Sequence, residues 1–202
     1  MKKPTSYLQY SWWKYLLIAL LSITVWSVVL DVLSAPEKNE KVRVTCVGDG
    51  FLCDEMETAL WQKLPQVTEQ RVEKIAVESP VNGQSADYFS VMATRAYGAD
   101  FIIVEESALT EAFGQSYFLP LPVDELPDQL ANREQYTENG TAYGLLLYDG
   151  TTPNVFSQFY SGNERCFIFI THTCVNVAGL MNVGNEQDDA ALRLIEYLLE
   201  EI

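Results

Sequence analysis

The feature that most constrains this chain is a run of four apolar residues at 101–104, "FIIV", which ends abruptly on Glu105 and Glu106. The run shows no alternation of apolar and polar side chains, so both faces of the strand that it predicts must be covered. Such strands are typical of the interior of a parallel sheet that carries helices on each side. The two glutamates mark the point where the chain leaves the core and enters a short helix.

Two further strands are predicted before this one. Residues 41–47 contain regularly spaced valines and lead into the turn signal at 48–50, and residues 72–77 form the second strand. Between these strands an apolar stripe with helical spacing runs over residues 56–64, and another helix is predicted from Ser85. Because βαβ crossovers are right-handed, this order predicts a three-layer α/β sandwich with a mostly parallel sheet.

The remainder of the chain has a different character. Residues 117–128 contain three prolines and cannot form the interior of a helix. Strands are predicted at 143–148 and 166–173, and the chain ends in a helix whose apolar stripe follows the capping residue Asn185. These elements would complete the sheet and its helical layers.

The segment Trp12–Leu30 is apolar along almost its whole length, with Lys14 as its one charged residue. Its 19 residues are just sufficient for a helix to cross the hydrocarbon layer with the tryptophans near the interfaces. Lys2 and Lys3 also precede the segment, so the positive-inside rule predicts a cytoplasmic N-terminus. The predicted protein is a single-pass cell-membrane protein with an N-terminal part and anchor at 1–34, a tether at 35–41 and an extracytoplasmic α/β domain at 42–202.

Two alternatives for the apolar segment remain open. A cleaved signal peptide would need small residues at two positions before the cut, and Leu33-Ser34-Ala35 supplies a small residue at only one of them. The other alternative is a buried core helix of a soluble protein. The flanking aromatic residues and the lysines on one side favour the anchor.

The charge of the chain excludes one class of partner. The formal net charge is −15, and all of the 28 acidic residues except Asp31 lie beyond residue 35. A surface of this kind repels phosphate backbones, so nucleic acid is not an expected partner.

A ligand site is predicted at the edge where the parallel strands end, because ligands of open α/β sheets gather there. That edge would carry Asp49 after the first strand, Asn82 and Tyr88 after the second, and Glu105 and Glu106 after the third. We predict that these residues contact the ligand, with Tyr88 or Phe89 as an apolar contact. The acidic side chains favour a small polar solute that carries a positive charge or an amine.

The order of motifs resembles a known family. "ADFIIVEESALTEAF" at 99–113, "LPLP" at 119–122, "YGLLLY" at 143–148 and the helix at 191–199 are similar to segments of bacterial extracytoplasmic solute-binding proteins, which have the type 2 periplasmic-binding-protein fold. The resemblance implies that fold and a cell-surface setting. Family members close two lobes on a solute, and residues 126–165 are too few for a second lobe. The resemblance therefore implies a single-lobe or compacted form.

The four cysteines, Cys46, Cys53, Cys166 and Cys174, all lie beyond the apolar segment. In an oxidising compartment they could form two disulfides with three possible pairings, and free thiols in the core are the alternative. Cys46 and Cys53 are close enough in sequence for a local bridge around the turn at 48–50. Cys166 and Cys174 would bridge only if the chain bends between them.

No catalytic residue, metal site or cofactor is predicted. His172 is the single histidine, and although it would share a strand face with Cys166 and Cys174, the spacing matches no known structural zinc pattern. Neither a nucleophile elbow nor a phosphate-binding loop occurs in the sequence. Glu105 and Glu106 are expected to be solvated, with their side chains on opposite sides of the strand end.

These observations predict a membrane-anchored extracytoplasmic domain that binds a small polar solute or a partner protein and is not an enzyme. The main alternative is a structural or assembly component of a cell-surface complex. A surface enzyme is the third hypothesis. The identity of the ligand does not follow from the sequence.

Overall fold

The computed structural model describes residues 6–33, 37–79, 98–110, 113–180 and 185–202. Contacts between residues divide the chain into two units, Met1–Pro36 and Glu37–Ile202. In the first unit, helix α1 (Ser6–Leu33) includes the window Trp12–Leu30, which is long and apolar enough to span a membrane. None of this window is buried, unlike the core helix of a soluble protein. A signal sequence near the N-terminus has the same properties, so membrane anchoring and cleavage both stay predictions.

The described part of the second unit is an α/β fold in which strands and helices mix along the chain. Its elements are β1 (Lys41–Val47), α2 (Cys53–Val67), β2 (Lys74–Glu78), β3 (Phe101–Glu105), α3 (Phe113–Tyr117), α4 (Asp128–Ala131), β4 (Gln135–Glu138), β5 (Thr141–Tyr148), β6 (Cys166–Ile170) and α5 (Ala190–Leu198). Short 3-10 turns lie at Lys38–Glu40, Glu106–Ala108, Val123–Glu125 and Phe156–Phe159. As predicted, the proline-rich stretch does not form a helix interior, since it has only a 3-10 turn between α3 and α4.

The six strands form one sheet in the order β2-β1-β3-β6-β5-β4. β1 pairs in parallel with both β2 and β3, whereas β6 is antiparallel to β3 and to β5, and β4 is antiparallel to β5. The sheet is therefore mixed, and the prediction of a mostly parallel sheet was wrong. The inference failed because a strand buried on both faces shows only that both faces are covered, and β3 satisfies that condition with one parallel and one antiparallel neighbour.

Both faces of the sheet are covered by buried apolar side chains. On one face, here called the helical face, α2 and α5 pack on alternate residues of the strands, with a core that includes Val42, Val44, Met56, Leu60, Phe101, Ile103, Ile168, Leu194 and Ile195. On the opposite face, here called the aromatic face, α3 packs on the intervening residues, with a core that includes Ile102, Val104, Phe113, Phe118, Phe167 and Phe169. The stripe predicted on α2 is confirmed, because Met56, Leu60 and Leu64 are its buried residues.

Several element boundaries differ from the sequence predictions. Helix α5 begins at Ala190 rather than next to Asn185, because residues 185–189 form a turn in which the Asp188 N–H donates to the Asn185 carbonyl over 3.0 Å. Strand β4 had not been predicted. Strand β6 ends at Ile170, which places His172 in the following turn and away from the predicted strand face. The helix predicted from Ser85 lies outside the described residues.

A buried polar network at the N-terminal edge of β1 holds this end of the domain together. The fully buried Asn176 side chain donates from Nδ2 to the Lys41 carbonyl over 2.9 Å and to Asp100 Oδ1 over 3.2 Å. Its Oδ1 accepts from Gln70 Nε2 over 2.7 Å, and Gln70 Oε1 accepts the first N–H of α5, from Ala190, over 2.7 Å. Burial raises the pKa of Asp100, although hydrogen bonds from the Arg43 N–H and from Asn176 favour its charged form.

Candidate functional site

The turn after β1 shapes the edge where β1 and β3 end. Gly48 and Gly50 have φ values of 137° and 84°, a region that residues with a side chain rarely adopt. The turn reverses the chain, and α2 then begins at Cys53. The Ser161 N–H donates to the Gly50 carbonyl over 3.0 Å, and the Leu52 N–H donates to the Phe159 carbonyl over 2.8 Å. The segment between β1 and α2 is thereby held against residues 159–161.

Glu105, the last residue of β3, lies beneath this turn and is only 8% exposed. Its carboxylate accepts the Asp49 N–H over 3.1 Å and the Tyr160 hydroxyl over 2.6 Å. A Cβ at Gly48 would overlap the same carboxylate, so the glycine makes room for it. The expectation that Glu105 is solvated was wrong: hydrogen bonds to the turn compensate the burial of its charge.

Burial and the hydrogen bond to Glu105 raise the pKa of the Tyr160 hydroxyl, which stays protonated and can donate. Tyr160 stacks against Phe156 with ring centroids 5.7 Å apart and approaches Phe51 at 5.0 Å. The Glu105 carboxylate is therefore linked through Tyr160 to aromatic side chains in the core of the helical face. Both of its oxygens are committed to internal donors, which suits a structural role.

Glu106 is exposed, as predicted. Its carboxylate pairs with Arg165 over 3.1 Å, and its N–H donates to the Arg165 carbonyl over 2.8 Å. Arg165 also pairs with Glu134, and this hydrogen bond, with the nearby charges of both glutamates, raises the pKa of Arg165. The predicted acidic edge is therefore partly neutralised. Of the other predicted contacts, Asp49 is exposed beside Glu105, whereas Asn82, Tyr88 and Phe89 lie outside the described residues.

A surface cavity of about 470 Å³ lies at the carboxyl end of β2 and at the N-terminus of α2, next to the segment that follows the turn at 48–50; it is here called the strand-end cavity. Its described lining is Phe51, Leu52, Cys53, Asp54, Glu55, Val77 and Ser79. The sequence reasoning placed a site at this edge but missed these residues, since it read 51–55 only as the entry to a helix. The available signal was the pair Phe51-Leu52, two large apolar residues directly after the glycine turn at the predicted ligand edge.

All four cysteines are free thiols, which is one of the two alternatives that the sequence left open. Cys46 is fully buried near the end of β1, and Cys53 is partly exposed at the start of α2. The Cys46 side chain lowers the pKa of Cys53, and the Cys53 side chain, together with burial, raises the pKa of Cys46. Burial raises the pKa of Cys166 to about 12 and that of Cys174 well above its usual range. Cys53 is therefore the thiol with the greatest thiolate character.

Comparisons of the sequence with known proteins give little support for any particular function. No protein-family model matches the chain, and no curated protein matches it. Among solved structures, thiaminase I from Bacillus thiaminolyticus matches 59% of this chain and 35% of its own length, with 16% identity and a TM-score of 0.34. This chain thus spans about a third of that protein.

The likeness to thiaminase I bears on the prediction that this chain is not an enzyme. Thiaminase I is an enzyme, so the prediction that this chain is not an enzyme is contradicted and is withdrawn. A likeness this weak assigns no activity to the chain. No protein-family model supports the resemblance to solute-binding proteins that the sequence suggested.

A second, larger opening lies at the opposite edge of the sheet; it is here called the polar cleft. Its volume is about 960 Å³, and its lining includes Thr68, Gln70, Arg71, Asp189 and Arg193. Many of these groups already bond to each other: the Thr68 hydroxyl and Arg193 Nε both donate to the Asp189 carboxylate. The cleft has few apolar walls, and ligand sites are usually lined mainly by apolar groups. The strand-end cavity is therefore the better candidate.

No group of three or more His, Cys, Asp or Glu side chains within the described part of the chain could hold a metal ion. The predicted strand face with Cys166, His172 and Cys174 does not form, because β6 ends before His172. Cys174 instead contacts Asp100 in the buried polar network, and Cys166 lies beside Tyr160.

Proposed function

We propose that this chain binds a small solute in the strand-end cavity and that α1 holds the protein at a membrane. The observation that carries the proposal is the cavity, whose volume of about 470 Å³ falls in the range of small-molecule sites. It lies at the carboxyl end of β2, at the edge where open α/β sheets bind their ligands. Backbone hydrogen bonds from Leu52 to Phe159 and from Ser161 to Gly50 anchor its wall.

The lining supports a solute with an amine and a short apolar part. Phe51, Leu52 and Val77 supply apolar surface, and Leu52 is 39% exposed. Asp54 and Glu55 add two exposed carboxylates, and the chain carries a net charge of −15. Negative charges of this density attract cations and raise their local concentration. Diamines and basic amino acids combine these features.

A thermal-shift series on the full chain in detergent micelles tests this proposal. Putrescine, arginine and lysine are the probes, and acetate and glucose are the comparison compounds. A ligand at about 100 times its Kd stabilises the folded state by about 2.7 kcal/mol, which raises the Tm by about 5–10 °C for a chain of this size. We expect a shift of this kind from at least one amine.

The matched variants are Asp54→Asn/Glu55→Gln at the cavity and Asp124→Asn/Glu125→Gln on an exposed turn distant in sequence. Both pairs open a helical turn, so each double variant loses similar charge at a helix start. Each Tm shift is measured against the same variant without ligand. The cavity variant should lose most of the amine shift and the control should keep it. Equal shifts in the two variants, or no shift with any amine, would contradict the proposal.

The proposed topology places the N-terminus in the cytoplasm and residues 37–202 outside. Lys2, Lys3 and Lys14 support this orientation, because positive residues are retained on the cytoplasmic side. Protease added to intact cells should then digest the C-terminal unit while an N-terminal tag on the chain stays protected. Digestion only after the cells are permeabilised would show the opposite orientation.

A further inference from the structure

Cys46 and Cys53 form a pair of thiols that lie in different environments. Cys46 lies one residue before the end of β1, and the tight turn at 48–50 brings the chain back so that Cys53 begins α2 beside it. Cys46 belongs to the buried core of the helical face, and Cys53 packs against that core. Each thiol also shifts the pKa of the other. Their neighbourhood follows from the tight turn in which Gly48 and Gly50 adopt positive φ values.

Access to the two thiols is unequal. Cys53 lines the strand-end cavity and is partly exposed, whereas Cys46 is completely buried in the core behind it. A reagent that enters the cavity therefore meets Cys53 first. The second thiol lies in the core against which Cys53 packs and is shielded from solvent.

The environment of Cys53 favours its thiolate. Cys53 is the first residue of a 15-residue helix, where the helix dipole stabilises negative charge. The neighbouring Cys46 side chain lowers the pKa of Cys53, and this effect outweighs the opposing effects of burial, Asp54 and Glu57. Attack on a disulfide requires a thiolate, so the exposed member of the pair is also the more reactive one.

We propose that Cys53 and Cys46 form a dithiol site that reacts with low-molecular-weight disulfides, with Cys53 as the attacking thiol and Cys46 as the resolving thiol. The Cys53 thiolate attacks one sulfur of the disulfide, the S–S bond breaks, and the first thiolate leaves and takes up a proton. Cys46 then loses its proton and attacks the Cys53 sulfur, which expels the second thiol. The external disulfide gains two electrons and becomes two thiols, and the pair loses two electrons and becomes the Cys46–Cys53 disulfide.

The other two cysteines serve as internal controls. Cys166 and Cys174 are buried, and burial raises the pKa of each thiol, so neither should react while the protein is folded. Cys174 contacts Asp100, which directly precedes β3 and so lies at the end of that strand opposite Glu105. The proposed chemistry does not depend on the amine solute, so either proposal can fail while the other stands.

The experiment exposes the full chain, in detergent micelles, to oxidised glutathione, followed by acid quenching, alkylation and peptide mass mapping. The wild-type protein should form the Cys46–Cys53 bridge and retain little glutathione. Cys46→Ser should retain one glutathione on Cys53, with at least about ten times the wild-type occupancy, because the resolving step is lost. Cys53→Ser should show neither product, and Cys174→Ala should behave as the wild type.

Three results would overturn the proposal: a wild-type chain that forms no bridge, a Cys46→Ser chain without glutathione on Cys53, or a bridge that uses Cys166 or Cys174. Circular dichroism of each variant shows whether it is folded. If a serine variant unfolds, the wild-type map decides alone, since the bridge must join Cys46 to Cys53. A repeat in 8 M urea should abolish the preference for Cys53, because that preference depends on the folded environment.

Discussion

Replacing Gly48 with alanine is expected to lower the free energy of unfolding by about 3–4 kcal/mol, from backbone strain of about 1–3 kcal/mol and a steric overlap of similar size. Gly48 has a φ of 137°, and an added Cβ would overlap the Glu105 carboxylate. Glu105 cannot simply move away, because it holds the Asp49 N–H and the Tyr160 hydroxyl. Urea unfolding of the full chain in detergent micelles measures the loss.

Gly140→Ala is the matched control for this prediction. Gly140 also has a positive φ, of 78°, but nothing lies within 4 Å of the Cβ that alanine would add. It should therefore cost only the backbone strain, about 1–2 kcal/mol. The double variant Gly48→Ala/Glu105→Ala should be less destabilised than the sum of its single variants, because the overlap is removed. Additive losses, or equal losses at Gly48 and Gly140, would show that Glu105 does not restrict position 48.

Replacing Asn176 with alanine should lower the free energy of unfolding by about 3–5 kcal/mol, because it removes two hydrogen bonds between neutral groups, worth about 0.5–1.5 kcal/mol each, and one to a carboxylate, worth about 1.5–3 kcal/mol. The substitution would remove hydrogen bonds to the Lys41 carbonyl, the Asp100 carboxylate and the Gln70 amide. The network joins β1, β3 and the start of α5, so this loss should also loosen α5. Asn163→Ala, at an exposed asparagine, is the control and should change stability by less than about 0.5 kcal/mol.

The loss of unfolding free energy caused by Asn176→Ala should also depend on pH. Burial holds the folded-state pKa of Asp100 above its ordinary value of 3.8, so this group favours folding below that value and loses the contribution as pH rises through the folded-state pKa. The Asn176 amide offsets part of the cost of the charged form. The stability loss should therefore be larger at about pH 7 than at about pH 4. A stability loss that does not change with pH would show that Asn176 does not stabilise the charged form of Asp100.

Local features of the chain predicted its elements well because they depend on nearby residues. The apolar run at 101–104 is buried on both faces, and the stripe at 56–64 packs α2 on the sheet. The same reasoning missed the direction of β6, since burial does not record the direction of a neighbouring strand. It also placed Glu105 in solvent, because its partners Asp49 and Tyr160 are 56 and 55 residues away in sequence.

The sequence by itself determined that an apolar helix precedes an acidic α/β unit, because length, hydropathy and residue spacing are properties of short segments. Only the tertiary structure decided that the sheet is mixed, that Glu105 is buried under the turn at Gly48, and that Cys53 opens into a cavity with Cys46 behind it. Each of these depends on which distant segments meet, and packing over the whole unit selects those contacts.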